Sequence, residues 1–144
     1  GGMMFGLVFA AALAGAAPFD AEAIPRAQAA VAAACGVKPA IVVRWDDFGD
    51  DTGGAQSLIE GGLEFLEGAF ATVCKDPALK AEVARQIKKI ALAQASGAAD
   101  PVVYLSEGTL NVEYFWVKGD PPPNTDFVAA EIAARLNGEE AEAP

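Results

Sequence analysis

Residues 101–117 read PVVYLSEGTLNVEYFWV, and this stretch predicts a β-hairpin. Two runs rich in β-branched and aromatic residues, 101–105 and 109–117, flank the three-residue connection 106–108. A short connection that contains glycine between two such runs is typical of antiparallel neighbours. We therefore expect these two strands to pair with each other as an antiparallel hairpin.

The residues before the hairpin predict two helices and one strand. Residues 21–35 carry apolar side chains at helical spacing and end at Gly36, a natural helix terminator. The β-branched run 40–45 (AIVVRW) predicts a strand. Residues 55–74 repeat apolar side chains at steps of three and four, so they predict a helix that weakens near the glycine at position 61.

A third and a fourth helix complete the prediction. Asp76 and Pro77 are suited to the start of a helix, and apolar residues at helical spacing continue to Ile90, so we expect a helix up to residue 96. The last helix begins near Asn124 and ends at Asn137. The element order α-β-α-α-β-β-α predicts an α+β fold with a small, mainly antiparallel three-stranded sheet packed against helices.

The two ends of the chain are expected to lie outside this domain. Residues 3–17 (MMFGLVFAAALAGAA) have the apolar character and length of a signal peptide, and small residues before Ala17 suit cleavage. We expect a signal peptide over 1–16, one α+β domain over 17–138, and a disordered acidic tail over 139–144. A buried N-terminal helix and an uncleaved anchor are the alternatives, although this run is short for the roughly 30 Å core of a bilayer.

The two cysteines, Cys35 and Cys74, each stand at the end of a predicted helix. In an exported protein such a pair is most simply a disulfide, and neither cysteine belongs to a C-x-x-C motif. Lys75 is the one basic neighbour that could lower a thiol pKa, so a redox or nucleophilic role is the minor alternative. We predict a Cys35–Cys74 disulfide in a secreted or periplasmic protein.

Composition excludes several classes of function. The chain has no histidine, which excludes Ser-His-Asp and Cys-His catalysis and histidine-ligated metals. Its formal net charge is −10, which repels phosphate backbones and anionic lipids. We expect no nucleic-acid partner, no cofactor, and no stable membrane insertion after signal cleavage.

Four acidic residues in the stretch 46–54 (DDFGDDTGG) follow the first predicted strand: Asp46, Asp47, Asp50 and Asp51. Clustered carboxylates could bind calcium, or act as the acid and base of a hydrolase. Counted from Asp46, the stretch does not match the EF-hand register. A polar loop that also caps the following helix is the simpler interpretation.

Aromatic residues form the other candidate surface. Trp45 and Phe48 follow the first strand, whereas Tyr114 and Trp116 share one face of the second hairpin strand. Packing in the core is the usual role of aromatic residues at strand spacing. If part of this set is exposed, it becomes a candidate binding site.

The chain resembles small exported bacterial proteins of unknown function. The shared features are Cys35 before a first strand, the Trp45-Asp46-Asp47-Phe48 motif after it, Cys74-Lys75-Asp76, and a terminal hairpin containing Glu107-Gly108-Thr109-Leu110. The resemblance implies export and one disulfide, and it assigns no activity. We predict a secreted or periplasmic non-enzymatic interaction module whose partner is another envelope or extracellular protein. The alternative is a carboxylate-dependent hydrolase or calcium-dependent binder that uses residues 46–51.

Overall fold

The computed structural model describes residues 22–97 and 100–141, with only the backbone at residues 60 and 62. The predicted signal peptide, residues 1–16, lies outside these ranges, and the predicted tail is described as far as Ala141. The described elements are, in chain order, α1 (Ala23–Cys35), β1 (Ala40–Val43), a 3₁₀ turn (Trp45–Phe48), α2 (Thr52–Ser57), a π-helical turn (Leu58–Gly62), α3 (Leu63–Val73), α4 (Pro77–Gln86), β2 (Lys89–Gln94), β3 (Val102–Ser106), β4 (Thr109–Tyr114) and α5 (Thr125–Leu136).

The sheet has four strands in the order β1-β2-β4-β3. Strand β2 pairs in parallel with β1 on one side and with β4 on the other, while β3 and β4 form the predicted antiparallel hairpin. The α+β class is confirmed. The prediction of a three-stranded, mainly antiparallel sheet is wrong, because it omitted β2.

Strand β2 was predicted as the end of a helix. Helix α4 instead ends at Gln86, because Ile87 already has extended backbone angles. The residues Ile90, Ala91, Leu92 and Ala93 are all buried, so both faces of the strand are apolar. The sequence therefore lacks the alternation of apolar and polar residues that usually indicates a strand. A short apolar run of this kind fits a buried helix as well as a buried strand.

The core fills the space between the helices and one face of the sheet. Helix α3 packs against both α1 and α5, and α5 packs on β3. The sheet contributes alternate residues to this core, and the helices contribute their apolar stripes: Ile41, Ile90, Leu92, Val103, Leu110 and Val112 from the strands, with Val31, Leu66, Phe70, Val83, Val128 and Ile132 from the helices. Burial of each large side chain stabilises the fold by roughly 1.5–3 kcal/mol relative to exposure.

The hairpin between β3 and β4 is tighter than predicted. Ser106 pairs directly with Thr109, which leaves a two-residue turn instead of three. Glu107 has φ 50° and Gly108 has φ 84°, as a type I′ turn requires. This turn type matches the right-handed twist of the two strands and closes on a residue pair that exchanges both backbone hydrogen bonds.

The predicted disulfide is confirmed. Cys35 and Cys74 are bonded, with their Cα atoms 5.3 Å apart. Both residues are buried, and the bond joins the end of α1 to the end of α3. Among the residues described, no helix has the length and apolar character needed to cross a membrane.

Replacing both cysteines, Cys35→Ser with Cys74→Ser, is expected to lower the free energy of unfolding by on the order of 4 kcal/mol, because the cross-link closes a 39-residue separation in the unfolded chain. Urea unfolding followed by circular dichroism measures the change. Wild-type protein in excess reductant is the control and should unfold with the variant. Equal midpoints for oxidised wild type and variant would contradict the expected stabilisation.

Candidate functional site

The aspartate and aromatic candidates meet at one end of the sheet. The chain leaves β1 at Arg44 and forms the 3₁₀ turn before α2 begins, and this turn packs against β2. Gln94, the last residue of β2, pairs with Tyr114, the last residue of β4. The carboxyl ends of the parallel strands therefore lie together at this end of the sheet, where α/β proteins commonly bind ligands.

The side-chain amide of Gln94 joins three segments of the chain at this end of the sheet. Gln94 Nε2 donates to Asp51 Oδ2 at 3.1 Å and to the Trp116 carbonyl oxygen at 3.0 Å. Gln94 Oε1 accepts from the Trp116 N–H at 2.7 Å. The side chain thereby pairs with the backbone after β4 has ended. This explains why the strand stops at Tyr114 and not at residue 117 as predicted.

Asp51 caps helix α2. Its Oδ1 accepts from the Gly54 N–H at 2.8 Å, while Oδ2 holds Gln94. A Cβ at Gly54 would lie 2.6 Å from Asp51 Oδ2 and 2.7 Å from the Trp116 carbonyl oxygen. These separations are too short for any side chain, so glycine is required where α2 approaches the end of the sheet. The predicted capping role of this loop is thus performed by Asp51.

The four aspartates do not converge on one point. Asp47 Oδ2 lies 3.5 Å from Arg44 Nε, both Asp51 oxygens accept hydrogen bonds, and Asp46 and Asp50 are exposed. Within residues 22–97 and 100–141 no three acidic or sulfur-bearing side chains are grouped to hold a metal ion. Use of this loop by a hydrolase or a calcium-dependent binder stays a prediction.

The aromatic candidates are mainly packed inside. Trp116 is 1% exposed and contacts Tyr114 and Phe65, with ring centroids 4.9 Å and 5.6 Å away. Phe48 is also buried, against Trp45 at 5.8 Å. Trp45 and Tyr114 are half-buried. None of these four aromatic residues is fully exposed, so they form no broad aromatic surface at the carboxyl end of the sheet.

Asp51→Ala is expected to lower the free energy of unfolding by about 1–2 kcal/mol, because α2 loses its cap and Gln94 loses an acceptor. Asp50→Ala, one position away and exposed, is the matched control and should unfold like wild type. Thermal melts with and without millimolar calcium measure both effects. A calcium-dependent rise in wild-type Tm that Asp50→Ala abolishes would contradict a purely structural loop.

A second candidate site lies along the outer edge of β3. Ser106 and Thr109 flank the two-residue turn, a position at which the paired residues exchange both backbone hydrogen bonds. Along β3 from Ser106, successive residues therefore point their backbone groups alternately toward β4 and away from it. Val103 and Leu105 consequently turn their N–H and C=O groups away from β4. Of these groups, the Val103 carbonyl oxygen accepts a hydrogen bond from Arg135 Nη1 at 3.2 Å.

A groove of about 410 Å³ runs beside this edge, and we call it the Arg135 groove. Its lining comes from β3, the end of α5 and the residues that follow: Tyr104, Leu105, Arg135, Gly138, Glu139, Glu140 and Ala141. Arg135 is 9% exposed, and its Nη1 also lies 3.3 Å from Glu131 Oε1. Arg135 Nε is buried and has no hydrogen-bond partner among the described residues.

Tyr104 forms the wall of the groove on the opposite side of β3 from Val103. Its hydroxyl donates to Glu113 Oε2 at 2.9 Å. Burial raises the pKa of Tyr104, the Glu113 carboxylate raises it further, and the nearby Arg44 guanidinium offsets part of the effect. Glu113 is half-buried, and its hydrogen bond fixes the position of this ring.

Neither Arg135 nor Tyr104 was a candidate at the level of sequence. Arg135 lies in the last turn of a helix, where a cation is ordinary because it complements the helix dipole. Its burial against Val103 depends on how α5 packs on β3. The sequence offered one signal for Tyr104, which is the alternation of residues along β3. This alternation places Tyr104 on the face of the strand opposite to the core-facing Val103.

No protein-family model matches this chain, and no curated protein or solved structure does either. The resemblance to small exported proteins remains a prediction from the sequence. The candidate sites are therefore interpreted from their own geometry.

Proposed function

We propose that this chain is an exported, non-enzymatic interaction module that binds an extended segment of an envelope or extracellular protein along the outer edge of β3. The observation that carries the proposal is an edge strand with outward backbone groups beside an open groove. Addition of a strand to a sheet edge is a common mode of peptide recognition, in which backbone hydrogen bonds provide affinity.

Strand β3 has few of the features that protect sheet edges from pairing. Its sequence, VVYLS, contains no charged residue, although charges and prolines are usual guards of such edges. Pro101 precedes the strand, and Arg135 occupies one outward carbonyl, that of Val103. The outward groups of Leu105 lie next to the groove and have no hydrogen-bond partner outside the ladder among the described residues. The edge is therefore suited to an incoming strand.

The covalent cross-link supports the proposed location. Disulfides persist in oxidising compartments and are rare in the cytosol. The buried Cys35–Cys74 bond, together with the apolar run at residues 3–17, supports export to the periplasm or beyond. A small domain that is stabilised by a disulfide and has an open edge strand suits a binding role in that compartment.

Leu105→Pro is expected to abolish partner binding and to leave the fold intact, because proline removes an N–H that points outward and does not break the β3–β4 ladder. Leu105→Val keeps the N–H and is the matched control. Each tagged protein is incubated with envelope extract, and retained proteins are compared by quantitative mass spectrometry. Near-ultraviolet circular dichroism verifies that all three proteins are folded.

A companion retained by wild type and by Leu105→Val, and lost with Leu105→Pro, is the expected result. Equal retention by Leu105→Pro, or no companion with wild type, would contradict the proposed function.

A further inference from the structure

We infer that the segment bound beside β3 is basic, with a lysine or arginine side chain that enters the Arg135 groove. This inference rests on the proposed function and assigns the chemical class of the partner. It depends on the charges around the groove, on the state of Arg135, and on the apolar wall that β3 provides.

The charges around the groove favour a cation. Glu139 and Glu140 line it and are exposed, and Glu131 lies behind Arg135. Arg135 is the one cation among the lining residues, and the Glu131 carboxylate compensates it. The local charge is therefore negative, as is that of the whole chain at −10. Such a field raises the local concentration of a cationic ligand and increases its rate of association.

Arg135 supplies an independent indication that the groove takes a ligand. More than nine-tenths of this residue is buried, and its Nη1 is already held by the Val103 carbonyl oxygen and by Glu131. Its Nε has no acceptor among the described residues. A buried donor without a partner is unfavourable, so a ligand in the groove that offered an acceptor to Arg135 after a shift of its side chain would remove this cost.

The wall of the groove suits the stem of a long cationic side chain. Leu105 is half-buried and Tyr104 presents its ring, so both offer apolar surface. Lysine and arginine place their methylene stems along such surface while the charged group reaches nearby carboxylates. The groove can therefore hold the stem beside Leu105 and the charged group near Glu139 and Glu140.

Two synthetic peptides test the assignment on the full chain. The basic probe is acetyl-Val-Lys-Val-Lys-Val-amide, and the acidic probe replaces both lysines with glutamate. Titration of ¹⁵N-labelled protein is followed by NMR through the amide signals of Val103 and Leu105. We expect the basic probe to shift these signals with at least tenfold higher affinity at low salt, and the difference to shrink in 0.5 M salt because screening weakens exposed charge pairs.

Variants identify the carboxylates that carry the preference. Glu139→Gln with Glu140→Gln should bring the affinities of the two probes within about twofold of each other. Glu64→Gln with Glu67→Gln removes the same charge from α3 and should keep the full preference. Equal binding of both probes to wild type would overturn the charge assignment and leave the proposed function standing. No shift at Val103 or Leu105 with either probe would overturn both.

Discussion

Strand β2 is held by parallel hydrogen bonding to β1 on one side and to β4 on the other, and the remaining elements are positioned around that pairing. Because β2 pairs with one side of β4 and β3 pairs with the other, β3 is the edge strand at that side of the sheet, and β1 is the edge strand at the opposite side. The same pairing brings Gln94 to the end of the sheet, where it contacts Asp51 and Trp116. The exposed edge of β3 and the contact between Gln94 and the capped start of α2 thus both depend on the position of β2.

The helical layer stabilises this arrangement from one side. Helix α3 lies against α1 and α5, the disulfide fixes the end of α1 to the end of α3, and α5 carries Arg135 to the edge of β3. The Arg135 groove is therefore built from β3, the end of α5 and the residues that follow α5, and the other elements support it. Binding sites that require defined backbone geometry benefit from such a support.

The sequence predicted those features that depend on residues only a few positions apart. The glycine after α1, the asparagine cap of α5 and the hairpin each depend on residues a few positions apart, and each is present. The weak point predicted near Gly61 coincides with the π-helical turn Leu58–Gly62. Strand β2 escaped prediction because burial on both faces removes its period, and the early end of β4 depends on Gln94, which is distant in sequence. Arg135 escaped for a similar reason, since its burial exists only after α5 packs on β3.

The central claim is that β3 is an open edge while β2 is fully enclosed, and amide hydrogen exchange measured by NMR tests it most directly. The account predicts slow exchange at Leu92, near the global unfolding limit, and at Tyr104, whose N–H faces β4. It predicts exchange faster by orders of magnitude at Leu105, whose N–H faces outward. Slow exchange at Leu105, equal to that at Tyr104 in the isolated protein, would show that the edge is covered and would contradict the account.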